Sequence, residues 1–504
     1  MCYDVIGSSP AGLVARDHYY LADIAQNEND LPGAETELRS VLITEPGYVP
    51  ARLALASSLF KSGDEDGAHK EYLAVLKIEA NQPQASLGLA RIELQRGNDD
   101  AAVARLDELM AVHPESTAGA ALFAQVLERL GQKDRAVAVA QWSLQKPEPP
   151  LADPWMAELL SDCYDIQRLS ITFEEYFKTG KMTEAVPLLD RLSELDPNSP
   201  ITKIFSGFSH AKALHHITAV REYYEALGKG GDPEKICPYL VQSLLALGKI
   251  SEADSLMADY YNRMPESIPI AKAYSEVVLR AGNNELARKL LTKILEKEPY
   301  LQPQNMSLAK ILWDSGERDA AAKCLQRVAA VYVSDVPSHA LLGEYYLGKS
   351  NPAAAIKFLQ EAYSHAPEKT PAQASLAAML GTAYLQIGNE QTGSGNLQEA
   401  LNSYEQAIRF APADLNGYAG KANVCVQLKQ FRGAAGALEK LVALDPKNPT
   451  ILLSLGDVLY QDGKEAEARR RWGRARELVA VGDDELKAAL DRRLNGPITP
   501  DIFQ

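Results

Sequence analysis

The feature that most constrains this chain is an alanine that recurs every 34 residues in three runs. The thirteen in-phase alanines are Ala34, Ala68, Ala102, Ala136, Ala185, Ala219, Ala253, Ala287, Ala321, Ala355, Ala400, Ala434 and Ala468. A period that survives two interruptions indicates one supersecondary unit copied end to end. Because such units stack on their neighbours, a chain of 504 residues needs no separate globular cores. We therefore predict one elongated solenoid.

The 34-residue unit has its own internal pattern. With each alanine counted as place twenty, four units span 15–150 and nine span 166–482. Most units have glycine at place fifteen, where it closes one helix in the left-handed conformation, and proline at place thirty-two, where it ends the next helix. Apolar residues recur every three to four residues between these points, which predicts two amphipathic helices per unit. The alanines are expected where paired helices approach most closely.

This combination of a small residue at place eight, glycine at fifteen, alanine at twenty and proline at thirty-two resembles the tetratricopeptide repeat. The resemblance covers about residues 15–482. It implies an all-α fold, a right-handed superhelical solenoid of stacked helix-turn-helix repeats. Large aromatic residues are mostly absent from places four and eleven, and Leu214 replaces the turn glycine of the unit at 200–233. These departures weaken individual units and leave the array intact.

Four segments flank or interrupt the repeats. Residues 1–14 are interpreted as an N-terminal lead-in that precedes the first unit. Whether this segment is truncated at its start is left open. Residues 151–165 are interpreted as an inserted linker helix, because Asp153 and Pro154 are typical of a helix start. A stretch near 389–395 contains glycine and serine and predicts a mobile loop inserted between two helices. Residues 483–504 are expected to form a helix that caps the stack, followed by a tail.

The resemblance also indicates where a partner would bind. In stacks of this kind the first helices line a concave side, and places two, five, nine and twelve face its groove. At these places aromatic rings recur among polar groups, a mixture that suits an extended or helical peptide. The candidate partner-binding residues are Phe60, Arg91, Gln125, Phe177, Phe208, Gln242, Lys310, Trp313, Asn423, Asp457 and Tyr460. The alternative that some of these rings pack against the next unit stays open.

More specific ligands are disfavoured. The family's best-known clamp, for a chaperone's carboxyl terminus, needs lysine at place five and asparagine at place nine, whereas Asn423 is accompanied by Ala419. His210, His215 and His216 form the densest histidine group, but their spacing places them on diverging helix faces, so no metal site is expected. No nucleophile elbow, phosphate loop or dinucleotide fingerprint is present. We expect neither catalytic residues nor a cofactor.

Charge and hydrophobicity limit the partners. The formal charge of -15 disfavours nucleic acid and anionic membranes, because both require a basic surface. The one basic run, Arg469–Arg476, predicts either a docking site for an acidic partner or a solvated helix face with Trp472 turned inward. The sequence contains no run of about 18 apolar residues, so no transmembrane segment is predicted.

The cysteines and the first residues bear on the compartment. The five cysteines are scattered over distant units, which favours reduced, buried thiols over a disulfide framework. Met1–Asp4 has neither a basic nor an apolar signal region. We therefore expect a cytoplasmic protein, and leave open an export signal upstream of Met1.

These observations favour a non-catalytic scaffold that binds protein or peptide partners in the groove of the superhelix. Two alternatives remain open. The chain could be the regulatory or substrate-recruiting arm of an enzyme whose catalytic domain lies elsewhere, or an architectural component of a bacterial envelope or secretion assembly. The residues identify neither the partners nor the pathway nor the oligomeric state.

Overall fold

The structure is a computed structural model that describes residues 14–113, 116–143, 153–156, 163–178, 182–480 and 483–495. Every regular element within these ranges is a helix. The predicted all-α fold is therefore confirmed. The expectations for 1–13, for most of the linker helix and for the tail at 496–504 concern residues outside these ranges, although residues 154–156 are helical.

Within the repeats the helices alternate along the chain, so that odd numbers are the first helices of the units and even numbers the second helices; the last numbered helix follows the repeats. They are α1 (Ala15–Asn27), α2 (Leu31–Thr44), α3 (Val49–Ser62), α4 (Glu65–Ile78), α5 (Pro83–Gln95), α6 (Asp99–Val112), α7 (Thr117–Arg129), α8 (Lys133–Ser143), α9 (Ile166–Lys178), α10 (Met182–Leu195), α11 (Pro200–Lys212), α12 (His216–Gly228), α13 (Pro233–Ala246), α14 (Ile250–Arg263), α15 (Ile268–Arg280), α16 (Asn284–Lys297), α17 (Gln302–Asp314), α18 (Arg318–Val331), α19 (Val336–Gly348), α20 (Pro352–His365), α21 (Pro371–Gly393), α22 (Leu397–Phe410), α23 (Leu415–Gln427), α24 (Phe431–Leu444), α25 (Pro449–Gln461), α26 (Glu465–Leu478) and α27 (Asp484–Asn495). The two helices of each unit pack against each other.

The turn between paired helices depends on a backbone conformation with positive φ at place fifteen. Gly63 has a φ of 91° and Gly282 a φ of 77° at this place. Leu214 and Lys429 adopt the same conformation without being glycine, with φ of 62° and 56°. Left-handed geometry costs a residue with a Cβ about 1–2 kcal/mol. The packing of the two helices therefore imposes the turn even where the side chain opposes it.

All thirteen in-phase alanines are buried, and only Ala136 retains any exposure, at 7%. The prediction that they lie at helix contacts is confirmed. The small residue at place eight is explained by the same close approach. A Cβ placed on Gly456 would lie 2.3 Å from Nε1 of Trp472, on the second helix of the same unit. A larger residue there would push the two helix axes apart.

The loop predicted near 389–395 is wrong, because α21 continues as one helix from Pro371 to Gly393. The ring of Tyr404 on α22 identifies the register of this helix. A Cβ on Gly388 would lie 2.9 Å from that ring, and the Tyr404 hydroxyl donates to Oδ1 of Asn389 at 2.8 Å. Gly388 therefore occupies place eight, and the turn follows at Ser394.

The inserted residues are instead those that precede the unit, at 370–380, where they lengthen α21 at its start. Thr370 caps the helix by accepting a hydrogen bond from the amide of Gln373. Leu376 and Leu380 are buried in the same cluster as Leu359 of the preceding unit. Because the helix begins early on an apolar surface, the insertion is packed structure and no loop is needed.

The chain divides into two compact units, Met1–Val333 and Ser334–Gln504. The first unit holds two arrays of repeats, α1–α8 and α9–α18. The second unit holds the repeats from α19 to α26 and ends in α27. The boundary between the compact units therefore lies at Val333–Ser334, and the break in the repeat at 151–165 falls within the first unit.

The two arrays of the first unit contact each other at both ends. At their ends, α8 packs against α18, with Val139, Val328 and Val331 in one buried cluster. At their starts, Tyr19 of α1 donates a hydrogen bond to the carboxylate of Asp153. Tyr176 of α9 donates to the carbonyl of the same residue at 2.5 Å. These contacts hold the two arrays together as one compact unit.

Candidate functional site

Within each unit of the structure, the first helices form an inner layer. Successive first helices contact each other, as α13 does with α15 and α21 with α23. Among the described helices, successive second helices make no comparable contacts, since each packs against the first helices on either side of it. A stack whose first helices lie closer together curves toward them. Places nine and twelve of the first helices therefore lie on the inner surface.

In the second array, place twelve forms an apolar row. It is half-buried in four of the five units, and its members at 211, 245 and 279 pack against the core. Its members are Phe177, Ala211, Leu245, Leu279 and Trp313. Place nine is mainly polar and exposed in the same helices, with Gln242, Glu276 and Lys310. An apolar row bordered by exposed amide and charged groups can hold apolar side chains of a peptide and hydrogen-bond its main chain.

Two of the predicted groove residues lie in the core. Phe177 is 9% exposed and Phe208 is 4% exposed, and their rings stack with centroids 4.7 Å apart. The ring of Tyr239 in the next unit lies tilted against Phe208, with centroids 4.1 Å apart. The alternative that rings pack against the neighbouring unit therefore holds for these two residues. They support the inner surface from below.

Trp313 and Lys310 lie together at the end of the second array, on α17. Trp313 is half-buried, and the guanidinium of Arg318 lies 4.0 Å from the centre of its ring. Lys310 is exposed one turn earlier. A cation over an indole face leaves the opposite face and the ring edge for other contacts. This pair is the best-formed aromatic position on the inner surface of the second array.

The first array presents a more polar inner surface. Arg91 and Gln125 are exposed at place nine of successive units. Phe60 at place twelve is half-buried and packs against the core of the array. Gln26 at the same place of the first unit is used internally, since its amide donates to Ser58 at 2.9 Å.

In the second compact unit, the predicted residues have different surroundings. Asn423 is exposed and accepts a hydrogen bond from Gln427 of its own helix. Tyr460 is half-buried, with its ring 5.9 Å from that of Trp472. Asp457 is occupied by its own chain, because Arg493 of α27 donates to both of its oxygens. Burial raises the pKa of Asp457, and Arg493 opposes that shift.

The sequence interpretation missed part of the inner surface. It selected aromatic and polar residues at the groove places and passed over Ala211, Leu245 and Leu279. These aliphatic residues complete the row between Phe177 and Trp313. The signal was present in the repeat, since all five stand at place twelve. It was hidden because an aliphatic residue on an amphipathic helix is indistinguishable from a core position.

Most arginines of the basic run form ion pairs within the chain itself. Trp472 is fully buried, as expected for the inward-facing alternative, and four arginines of α26 are paired with neighbouring carboxylates. These pairs are Arg469 with Glu465, Arg471 with Glu467, Arg474 with Glu477 and Arg476 with Asp491. In the part of the chain that the structure describes, no three histidine, cysteine or acidic residues are grouped as metal ligands.

Comparison with known families identifies the repeat. One tetratricopeptide repeat model matches residues 25–92 and 59–126, and another matches residues 420–478. The chain is a tetratricopeptide repeat protein. A FAT domain model also matches residues 247–440. Tetratricopeptide repeats generally mediate protein–protein interactions.

The relatives of this tetratricopeptide repeat protein are distant. The tetratricopeptide repeat protein 21B of Xenopus laevis is 26% identical over 264 residues, 50% of this chain and 19% of the relative. The repeat protein YpiA of Bacillus subtilis (strain 168) is 21% identical over 44% of this chain and 50% of its own length. The BBSome complex member BBS4 of Bos taurus is 24% identical over 44% and 41%. The chain thus spans half or less of each of these relatives.

Two solved structures are among those that match parts or most of this chain. The Cut9-Hcn1 hetero-tetramer of the APC/C is 15% identical, with a TM-score of 0.27 and coverage of 97% of this chain and 98% of that one. The MamA protein is 19% identical, with a TM-score of 0.26 and coverage of 40% and 98%. Among the described residues of this repeat protein, no helix has the length and hydrophobicity needed to cross a bilayer.

Proposed function

We propose that this tetratricopeptide repeat protein is a non-catalytic scaffold that binds peptide segments of partner proteins along the first helices of its units. The observation that carries the proposal is the pair of parallel side-chain rows at places nine and twelve of the second array. Half-buried apolar side chains at place twelve, including Leu245, Leu279 and Trp313, run beside exposed polar side chains at place nine, including Gln242 and Lys310. A surface already formed in the free protein loses little conformational freedom on binding.

The charge of the chain narrows the class of partner. A formal charge of -15 favours neutral or basic peptides over nucleic acid. Cys163, Cys237, Cys324 and Cys425 are free thiols, which suits a reducing compartment. A cytoplasmic location and the absence of nucleic acid partners are parts of this proposal.

The test compares two changes to exposed or half-exposed side chains on opposite layers. Lys310→Ala combined with Trp313→Ala alters the inner surface of α17, whereas Tyr224→Ala removes an aromatic ring that is 37% exposed on the second helix α12. Partners are recovered by affinity purification and mass spectrometry, and the affinity of each is then measured with purified components. We expect the double variant to bind at least about tenfold more weakly, a loss of about 1.4 kcal/mol.

The Tyr224→Ala variant is expected to bind like the native chain, with the helical signal of both variants unchanged. The proposal would be rejected if the inner-surface variant kept full affinity for every recovered partner. It would also be rejected if only the Tyr224→Ala variant lost binding, because the partner would then use the outer layer.

A further inference from the structure

Four residues between the two arrays are held in a way that resembles a bound peptide. The segment Asp153–Met156 lies against Tyr19, Tyr20 and Tyr48 of the first array, with Arg16 nearby; these four residues are called the tyrosine cradle. Three cradle residues are on α1, and Tyr48 directly precedes α3. Arg16 and Tyr19 stand at places two and five, which the resemblance to the repeat family assigns to the groove.

The acidic side chain of the segment is recognised by directional hydrogen bonds. Tyr48 donates to Oδ1 of Asp153 at 2.5 Å, and Tyr19 donates to Oδ2. The amides of Trp155 and Met156 each donate to Oδ1 at 3.1 Å. Asp153 is 8% exposed, so four donors replace the water that the carboxylate loses. Burial raises the pKa of Tyr19 and of Tyr48, and the charge of Asp153 adds to both shifts, so the two phenols remain donors.

The aromatic side chain of the segment is recognised by ring contacts. Trp155 stacks on Tyr48 with centroids 3.8 Å apart and planes inclined by 17°. Tyr19 meets the same indole edge-on at 5.7 Å, and the Arg16 guanidinium lies 5.9 Å from its centre. The hydroxyl of Tyr20 donates to the Trp155 carbonyl at 2.9 Å. Tyr19 and Tyr48 thus each contact both the carboxylate and the indole, and Tyr20 binds the main chain.

We infer that the tyrosine cradle is a recognition site for partner peptides that carry an acidic residue followed two residues later by an aromatic one, and that Asp153–Met156 occupies it internally. The inference rests on the proposed peptide-binding function and names a second site for it, in the first array. Apolar packing alone would cover the end of an array. In the cradle, by contrast, three phenol hydroxyls donate hydrogen bonds to one short segment. Directional hydrogen bonds of this kind are typical of specific recognition.

Occupation of the cradle also connects the two arrays. Tyr176 of α9 holds the main chain of Asp153 on both sides, donating to its carbonyl at 2.5 Å and accepting from its amide at 3.2 Å. A partner peptide that displaces the segment therefore removes a link between the starts of the arrays. Binding of a partner at the cradle and the link through Asp153 between the starts of the arrays are mutually exclusive.

The experiment uses the full chain and a labelled peptide, Pro-Leu-Ala-Asp-Pro-Trp-Met-Ala, the sequence of residues 150–157. The native chain is compared with Asp153→Ala/Trp155→Ala, in which the internal segment has lost both recognised side chains. We expect the double variant to bind the peptide at least about tenfold more tightly than the native chain does. Replacing the peptide's tryptophan by alanine, or adding Tyr48→Phe to the variant, should weaken binding about tenfold, whereas Tyr224→Phe should not.

A helical double variant that fails to bind the peptide overturns the inference. If that variant does not fold, the native chain is studied by hydrogen exchange with excess peptide, and faster exchange of α9 is expected; unchanged exchange overturns the inference. If native mass spectrometry shows a dimer of the native chain and a monomer of the variant, the segment binds the cradle of a second copy. That result would overturn its internal role. Failure here, with binding still lost in the Lys310→Ala/Trp313→Ala variant, leaves the proposed function standing.

Discussion

Arg493 of the last helix and Asp457 of α25 form a two-point ion pair. Nε of the arginine lies 2.6 Å from Oδ1 and Nη2 lies 2.8 Å from Oδ2. Nε1 of Trp472 also donates to Oδ1, at 2.9 Å. Arg493 is 9% exposed, and Leu490 beside it is fully buried against the repeat core. The helix α27 is thus attached to the last unit by a polar anchor as well as by apolar burial.

Asp457→Ala should therefore destabilise the end of the second compact unit by about 2–4 kcal/mol, because it leaves a buried guanidinium and an indole N–H without their acceptor. Urea unfolding followed by tryptophan fluorescence measures the loss, and hydrogen exchange should show α27 released first. Asp491→Ala is the matched control, since it removes the half-exposed carboxylate that pairs with Arg476. An equal effect of the two changes would contradict the anchoring role of Asp457.

The in-phase alanines can be tested on one helix. Ala355 of α20 is fully buried, whereas Ala353, two residues earlier, is exposed. Ala355→Leu should lower the free energy of unfolding by about 1–3 kcal/mol through overpacking. Ala353→Leu should change it by less than about 0.5 kcal/mol. Denaturant titration of both variants measures the difference, and similar values would show that place twenty tolerates larger residues.

The repeat itself was predictable because its signals are local. Alanine at place twenty, glycine at place fifteen and proline at place thirty-two each act within one helix pair, so their spacing alone indicates the fold. The extension of α21 was not predictable in this way. Glycine and serine after Asn389 suggested a loop, but the contact of Gly388 with Tyr404 sets a different register, and that contact depends on packing between helices.

The candidate surface shows the same limit. A place in the repeat predicts which layer a residue belongs to, and it correctly puts Lys310 and Gln242 in exposed positions. It does not predict what covers that layer. Phe208 is buried by the ring of Tyr239, and Asp457 is bound by an arginine 36 residues later. Contacts between units and with the last helix decide which groove positions are open.

Leu214 offers a test of backbone strain. It has a φ of 62° at the turn place and is 78% exposed. The free-energy cost of the left-handed conformation is therefore not offset by burial of the side chain. Leu214→Gly should raise the free energy of unfolding by about 0.5–1 kcal/mol, since glycine adopts this conformation without the Cβ clash. The reverse change at an equivalent turn, Gly282→Leu, should lower it by about 1–2 kcal/mol. A loss of stability in Leu214→Gly would indicate that the leucine makes stabilising contacts that outweigh the strain.

His339 makes the stability of the second compact unit depend on pH. It is 3% exposed at the start of α19, with Nδ1 2.9 Å from the carbonyl oxygen of Asp335. Burial lowers the pKa of His339 from its ordinary value of 6.5, against the opposing effects of Asp335 and Glu361. Below pH 6.5 the unfolded chain therefore binds a proton that the folded chain resists. The contribution to stability is complete above that pH and is lost as the pH falls through the folded pKa.

Between pH 7 and pH 5 the free energy of unfolding should fall by up to about 1.4 kcal/mol per pH unit from this one group. His339→Gln keeps a side chain that can donate to the Asp335 carbonyl and removes the titration, so it should flatten this dependence. His215→Gln, which alters an exposed histidine in the first compact unit, should leave the dependence of the second unit unchanged. Urea titrations of the three proteins at a series of pH values provide the measurement. If the slope persists in His339→Gln, the proton is taken up at another group, because the substituted side chain cannot bind it.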